Sequence, residues 1–356
     1  MGNTESRNDN IKESRNDNNK KFRNDNVKTF RKKPSFSRIG SSHVKTNSIS
    51  PDCTDSTSSC NIKTVSNIKI LGGRPYLDEE VSIYLFPADW EEADRVQTCH
   101  FALKHLLCGN CTAPLSDIIK PESKILDVGC GSGHWCFEIA QEFPDADVYG
   151  VDIISSFPSE IKPSNCYFQE CNITDGLPFE DNDFDYVFMR HMFLALRDCQ
   201  WVPLLNEIMR VLKPGGVFEF VEFDLIPKSI GPVYSELINQ CNESLKKKQI
   251  DLQFLPKFEQ TVIDVGFQNV NCIRKNIPLG RWDRNIGKIG EIWTSNMFQM
   301  SKSLNSLITS SSLVNNSDEE HDRILSKIYF EEVDLYHSYQ VHYIILATKS
   351  TNDVNN

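Results

Sequence analysis

Lys124-Ile125-Leu126-Asp127-Val128-Gly129-Cys130-Gly131-Ser132-Gly133-His134-Trp135 is the stretch that decides the fold. Ile125, Leu126 and Val128 make the short apolar run that a buried parallel strand needs. After Gly133, the apolar residues Trp135, Cys136, Ile139, Ala140 and Phe143 recur at helical spacing. Three glycines at alternate positions fill the turn between strand and helix. Glycine has no Cβ, so a ligand can approach such a loop closely. Unpaired amides and the positive end of the helix dipole predict a bound anionic group there.

Outward from this stretch, strands and helices alternate as in an α/β, doubly wound, mostly parallel sheet. Further strands are expected at 147–152, 167–170, 184–189 and 217–223, with a helix over 200–212. Leu212-Lys213-Pro214-Gly215-Gly216 reads as a turn ending that helix. Helices over 233–248 and 258–265 follow, then a strand at 270–273, a late helical insertion over 288–307 and 319–335, and a closing strand at 341–346. On the N-terminal side, Trp90, Ala93, Val96, Phe101, Leu103 and Leu106 form a helical stripe. Glu91, Glu92 and Asp94 sit at its start, where the helix dipole favours acids. This helix is expected to cover the ligand cleft. Pro114 and Pro121 bracket a second short helix.

Composition sets the outer limits. Of 356 residues, 39% are hydrophobic, enough for a sizeable core. Residues 1–70 read as a disordered, basic, low-complexity tail, 71–350 as one domain with its core at 122–226, and 351–356 as a short disordered end. Residues 1–50 carry a net +7, whereas the whole chain carries −11. The remaining body is therefore strongly acidic and a poor nucleic-acid surface. Arg-Asn-Asp-Asn recurs at Arg7, Arg15 and Arg23, a unit too short and polar to bury a face.

The tail carries two address signals. Gly2, with Ser6 four residues on, fits the N-myristoylation pattern. One acyl chain binds membranes marginally, and Lys20, Lys21, Arg23, Lys28, Arg31, Lys32 and Lys33 would add attraction to an anionic membrane surface. Phosphate on Ser35 or Ser37 would weaken it. Arg31-Lys32-Lys33-Pro34 reads equally as a nuclear address. No apolar run approaches the ~20 residues of a membrane span. The expectation is an intracellular protein, cytoplasmic, membrane-associated or nuclear. Its 12 cysteines include a single Cys-x-x-Cys pair, Cys108 and Cys111, without the second pair that a zinc site uses. Reduced thiols and no metal are expected.

The loop spacing separates two cofactor classes. A dinucleotide loop reads Gly-x-Gly-x-x-Gly. Here an acid precedes Gly-x-Gly-x-Gly, which resembles motif I of the class I S-adenosylmethionine-dependent methyltransferases. Asp152 ends the next strand, where a carboxylate can accept hydrogen bonds from ribose hydroxyls. The resemblance continues through Leu177-Pro178-Phe179 and Phe184-Asp185. Gly73-Arg74-Pro75-Tyr76, the segment 85–95, the segments 127–135, 150–152 and 212–216, and Pro278-Leu279-Gly280-Arg281-Trp282 with 287–290 are similar to the fungal LaeA-like group. That resemblance covers about 70–350.

It implies a Rossmann-like seven-stranded sheet, S-adenosylmethionine as donor with S-adenosylhomocysteine as product, and in some members a link to secondary metabolism. It implies cofactor contacts at Asp127, Gly129, Cys130, Gly131, Gly133, Asp152, Ile153, Asn172, Ile173 and Arg190. Asp127 would hold the ligand's ammonium group, and Arg190 its carboxylate, unless Arg190 merely forms a surface ion pair. Asn172 stands where the group usually has an acid; its oxygen would accept from the adenine amino group. Ile173 would pack on the adenine face. His191 is the candidate general base. Tyr76, Glu92, Arg95 and His100 would line the lid or simply pack at the surface. Two other readings stay open. A nicotinamide oxidoreductase would need its third glycine one residue later, and the chain shows no Tyr-x-x-x-Lys. A regulatory subunit that binds S-adenosylmethionine without turnover would carry the same loop and the same Asp152.

Overall fold

The computed structural model describes residues 68–158, 160–309 and 318–351. Gly2, the basic run and Ser35 and Ser37 lie outside them. In chain order the elements are a hairpin of β1 (Ile68–Leu71) and β2 (Arg74–Leu77), then α1 (Trp90–Leu107), α2 (Leu115–Ile118), β3 (Lys124–Val128), α3 (His134–Glu142), β4 (Asp147–Asp152), β5 (Cys166–Glu170) and β6 (Phe184–Arg190). There follow α4 (Trp201–Val211), β7 (Leu212–Phe223), α5 (Pro232–Lys247), α6 (Phe258–Val265), β8 (Gln268–Pro278), α7 (Gly287–Thr309), α8 (Asp318–Lys327), α9 (Val333–Leu335) and β9 (Tyr339–Thr348).

Seven strands form one sheet in the order β5-β4-β3-β6-β7-β9-β8. The first five are parallel, and β9 runs antiparallel between β7 and β8. This is the expected Rossmann-like α/β architecture. Chain winding reverses between β3 and β6. Ligands of such sheets bind at that switch, beyond the carboxyl ends of the strands.

The central strand shows why the glycine stretch begins as it does. Ile125, Leu126 and Val128 have no exposed surface, because helices cover both sheet faces. Trp135 of α3 stacks on Phe188 of β6, with ring centres 4.2 Å apart and planes 3° from parallel. Its indole N–H donates to the Asn110 carbonyl at 2.8 Å. Burying an aromatic side chain of this kind contributes roughly 1.5–3 kcal/mol. It fixes α3, and therefore the loop before it, against the sheet.

The helix before the core is capped as its sequence suggests. Asp89 accepts from the Glu92 amide at 2.9 Å, and Cys108 ends the helix in a left-handed conformation. Helix α7 locks it in place. Arg95 donates to Asn296 Oδ1 at 2.9 Å, and Asn296 Nδ2 donates back to the Arg95 carbonyl at 2.7 Å. Tyr76 donates its hydroxyl to the Ser303 carbonyl at 3.0 Å.

Several expectations need correction. The described residues open with a hairpin whose first strand starts at Ile68. The segment 212–216 is not a free turn. Leu212 already pairs with Phe184, and the strand bulges before Val217 pairs with Tyr186. Gly215, at φ 79°, makes that bulge possible. The strand expected at 270–273 extends over Gln268–Pro278, because most of it pairs with β9.

Candidate functional site

Three cavities, of about 130, 430 and 50 Å³, share walls at the carboxyl ends of β3, β4 and β6. Asp152 lines all three. Gly129, Cys130 and Gly131 line the first, together with Asp127, Arg190 and His191. Ile153, Asn172 and Ile173 line the smallest.

The glycine loop is built differently from the expected anion cradle. The amides of Gly129 and Cys130 donate to the Val151 carbonyl at 2.9 and 3.0 Å, and that of Gly133 to the Cys130 carbonyl at 3.0 Å. The Gly131 amide donates to Asp152 Oδ2 at 2.8 Å. These four donors are already used within the protein, so they do not themselves cradle an anion. The glycines serve sterics instead. A Cβ on Gly129 would collide with the Met192 sulfur, and one on Gly133 with the Phe168 ring. A Cβ on Gly131, at φ 54°, would meet only Val96, in ordinary contact at 3.8 Å.

Asp152 is the hinge between loop and cavity. Its Oδ1 accepts from the Ile154 amide at 2.9 Å while Oδ2 holds Gly131. Each carboxylate oxygen keeps a further lone pair for a ligand. Burial raises its pKa, against the pull of the Ile154, Gly131 and Ile153 amides. Asp127 is buried, 4% exposed, and accepts from the Cys136 thiol at 3.4 Å. Burial pushes its carboxyl up to about 7, although the Arg190 guanidinium pulls the other way.

Arg190 is not a surface residue, and no carboxylate among the described residues lies within ion-pair distance of it. Its guanidinium donates to His100 Nδ1 at 3.0 Å. His100 Nε2 lies 2.9 Å from Glu138 Oε2, and Lys104 holds the other Glu138 oxygen at 2.6 Å. Because Arg190 can only donate, His100 Nδ1 is the acceptor and Nε2 carries the proton. Burial first, and the Arg190 charge second, lower the His100 pKa to about 4. The other lid residues are also buried rather than superficial: Tyr76 and Glu92 are each 4% exposed. Glu92 grips Arg95 through both oxygens, at 2.6 and 2.8 Å.

Asn172 departs from its expected role. Its Oδ1 accepts from the Thr174 amide at 3.2 Å and from the Thr174 hydroxyl at 2.8 Å, capping a short 3-10 turn. Its Nδ2 donates to the Val81 carbonyl at 3.2 Å. The oxygen meant for an adenine amino group is thus already engaged. Ile173 is buried beside it.

His191 follows β6 in a left-handed conformation, φ 57°. Its ring lies against Phe223 at 5.1 Å and Trp293 at 6.5 Å. Its Nδ1 lies 3.7 Å from Cys99 Sγ, and its Nε2 is buried without a hydrogen-bond partner. Burial, with the Arg190 charge second, lowers its pKa well below the usual imidazole value.

Sequence reading missed Glu222, Met192, Tyr84, Phe86 and Met300, all in the cavity wall. Glu222 had a signal: a second acid, after Glu219, in the run 217–223 whose other residues are apolar. Its Oε2 accepts from the Phe193 amide at 2.9 Å and its Oε1 from the Phe223 amide at 3.0 Å. Burial pushes its carboxyl up to about 7.

Residues 125–216 match the family described as methyltransferase domain. The chain is 33% identical to the secondary metabolism regulator LaeA of Coprinopsis cinerea, over 58% of this chain and 56% of that protein. It is 27% identical to the Aspergillus flavus LaeA regulator, over 79% of this chain and 77% of that one. The chain thus spans little more than half the length of the first of these relatives. Phosphoethanolamine N-methyltransferase 2 of Haemonchus contortus, solved with S-adenosyl-L-methionine, aligns at TM-score 0.45 and 20% identity over 78% of this chain and 62% of that chain. Residues 125–216 thus carry a methyltransferase domain on a Rossmann-like sheet. The chain around it is similar to the LaeA regulators.

Proposed function

We propose that this protein transfers a methyl group from S-adenosylmethionine to an acceptor, in a setting linked to secondary metabolism. The observation that carries the reading is the meeting of the glycine loop, Asp152 and the Arg190 guanidinium on one cavity. A half-buried guanidinium with no carboxylate among the described residues within ion-pair distance suits a ligand carboxylate. Asp127, on the same wall, suits the ligand's ammonium group, whose charge would favour the ionised carboxylate. Asp152 suits the ribose hydroxyls, and Ile153 and Ile173 suit the adenine. When bound, S-adenosylmethionine supplies a methyl group already activated on sulfur. The chain's own share is orientation and exclusion of water, which account for much of such a rate.

The glycine spacing, with the third glycine one residue early for a dinucleotide loop, speaks against a nicotinamide dinucleotide. Calorimetric titration of the full chain with S-adenosylmethionine, S-adenosylhomocysteine and NADH tests this reading. Binding of the first two but not the third is expected. Binding of NADH alone would overturn it. A subunit that binds but never turns over is separated by release of S-adenosylhomocysteine in the presence of acceptor.

A further inference from the structure

Beyond the loop, the first cavity continues into a chamber that nothing above assigns. Its walls come from three places. The end of β6 contributes His191, Phe193 and Leu194; the end of β7 contributes Glu222, Phe223 and Leu225; Met300 comes from α7. We infer that this chamber is the methyl-acceptor subsite and that it takes a small, uncharged organic molecule presenting a weakly acidic O–H, such as a phenol or an enol, to His191 Nε2. This rests on the methyl-transfer reading above.

Charge and chemistry support that class. Phe193, Phe223, Leu194, Leu225 and Met300 favour an apolar body. An ammonium or guanidinium acceptor would share the cavity with Arg190 and the donor's sulfonium. The carboxylate at this end, Glu222, already accepts a backbone amide on each oxygen, so it is a weaker partner for a cation than a free carboxylate would be. A peptide would bring main-chain groups that need partners. The Nε2 of His191 is buried and unpaired, and it points to a polar partner supplied by a ligand.

For Nε2 to accept, the ring proton must sit on Nδ1 and point at Cys99 Sγ, 3.7 Å away. Held neutral by burial, this imidazole is a weak base, which matches an acidic O–H and not an alkylammonium. In the step, Nε2 takes the hydroxyl proton as an oxygen pair forms the new O–C bond. The S–C bonding pair returns to sulfur, leaving a neutral thioether, and the proton passes to water.

The test uses the full chain, methyl-tritiated S-adenosylmethionine, and dialysed and undialysed extracts of the source cells. Label in the organic-extractable fraction, from undialysed extract alone, is the expected result. Label in acid-precipitated protein from the dialysed extract would overturn the inference. So would the absence of transfer from a protein that binds S-adenosylhomocysteine normally. Failure to bind S-adenosylhomocysteine would instead sink the donor reading beneath it. Two variants separate chemistry from folding. Asn tolerates the left-handed backbone at position 191, so His191→Asn should lower transfer by about 100-fold or more with S-adenosylhomocysteine affinity unchanged by calorimetry. Glu222→Gln, which leaves one oxygen for the two amides, should retain that affinity and raise KM for the labelled acceptor. Unchanged transfer in His191→Asn would overturn the role given to Nε2.

Discussion

The Arg190 guanidinium donates to His100 Nδ1 at 3.0 Å, and His100 is in turn held by Glu138. A neutral imidazole therefore positions the half-buried cation that faces the cavity. His100→Ala should weaken S-adenosylhomocysteine by about 10- to 100-fold, the scale of a hydrogen bond to a charged group. His100→Gln, which keeps an acceptor, should recover part of it. Calorimetry on both variants checks this, and equal affinity in the alanine variant would remove His100 from any positioning role.

Asp152 joins loop and ligand, so its loss should show in both. Asp152→Ala is expected to weaken S-adenosylmethionine by about 1.5–3 kcal/mol. The loss should exceed any change in the urea midpoint of the ligand-free protein. Unchanged affinity in a folded variant would refute the ribose contact.

Proton release should accompany binding. The Asp127 carboxyl is held up to about 7 chiefly by burial. An arriving ammonium group would favour the ionised form and lower that value. Affinity for S-adenosylmethionine should therefore rise between about pH 5.5 and 7.5. Calorimetry in buffers of different ionisation enthalpy should show protons leaving on binding, and Asp127→Asn should abolish much of that release. The ligand-free protein should show the opposite slope. A raised carboxyl favours folding fully below its unfolded pKa, and that contribution fades as pH climbs toward 7.

Gly133→Ala tests the steric reading of the loop. The backbone there has φ 79°, and the new Cβ would meet the Phe168 ring. The expected cost is about 2–4 kcal/mol, from a left-handed non-glycine residue and local overpacking. Chemical denaturation measures it, and a change below about 0.5 kcal/mol, typical of an unremarkable surface site, would show that the ring simply moves aside.

Parts of the site were legible because their causes are local. The run 124–135 alternates between the periods of strand and helix, and no distant contact is needed to read that change. Asp152 closes a strand at a fixed distance from the loop. Glu222 sits between Val221 and Phe223, yet its carboxylate accepts the Phe193 amide from another segment. Asn172 looked like a ligand contact until its own neighbour Thr174 took its oxygen.

By itself, then, the sequence determined the order of strands and helices, the glycine loop with its flanking acids, and the class of donor those features resemble. Periodicity and backbone geometry act over a few residues, and one chain displays them directly. Only the tertiary structure decided that four of the loop amides are already used, that Arg190 donates to a histidine, and that His191 faces a chamber closed by a helix some hundred residues away. Those facts depend on which groups become neighbours when the sheet assembles, and on the water that burial removes from them.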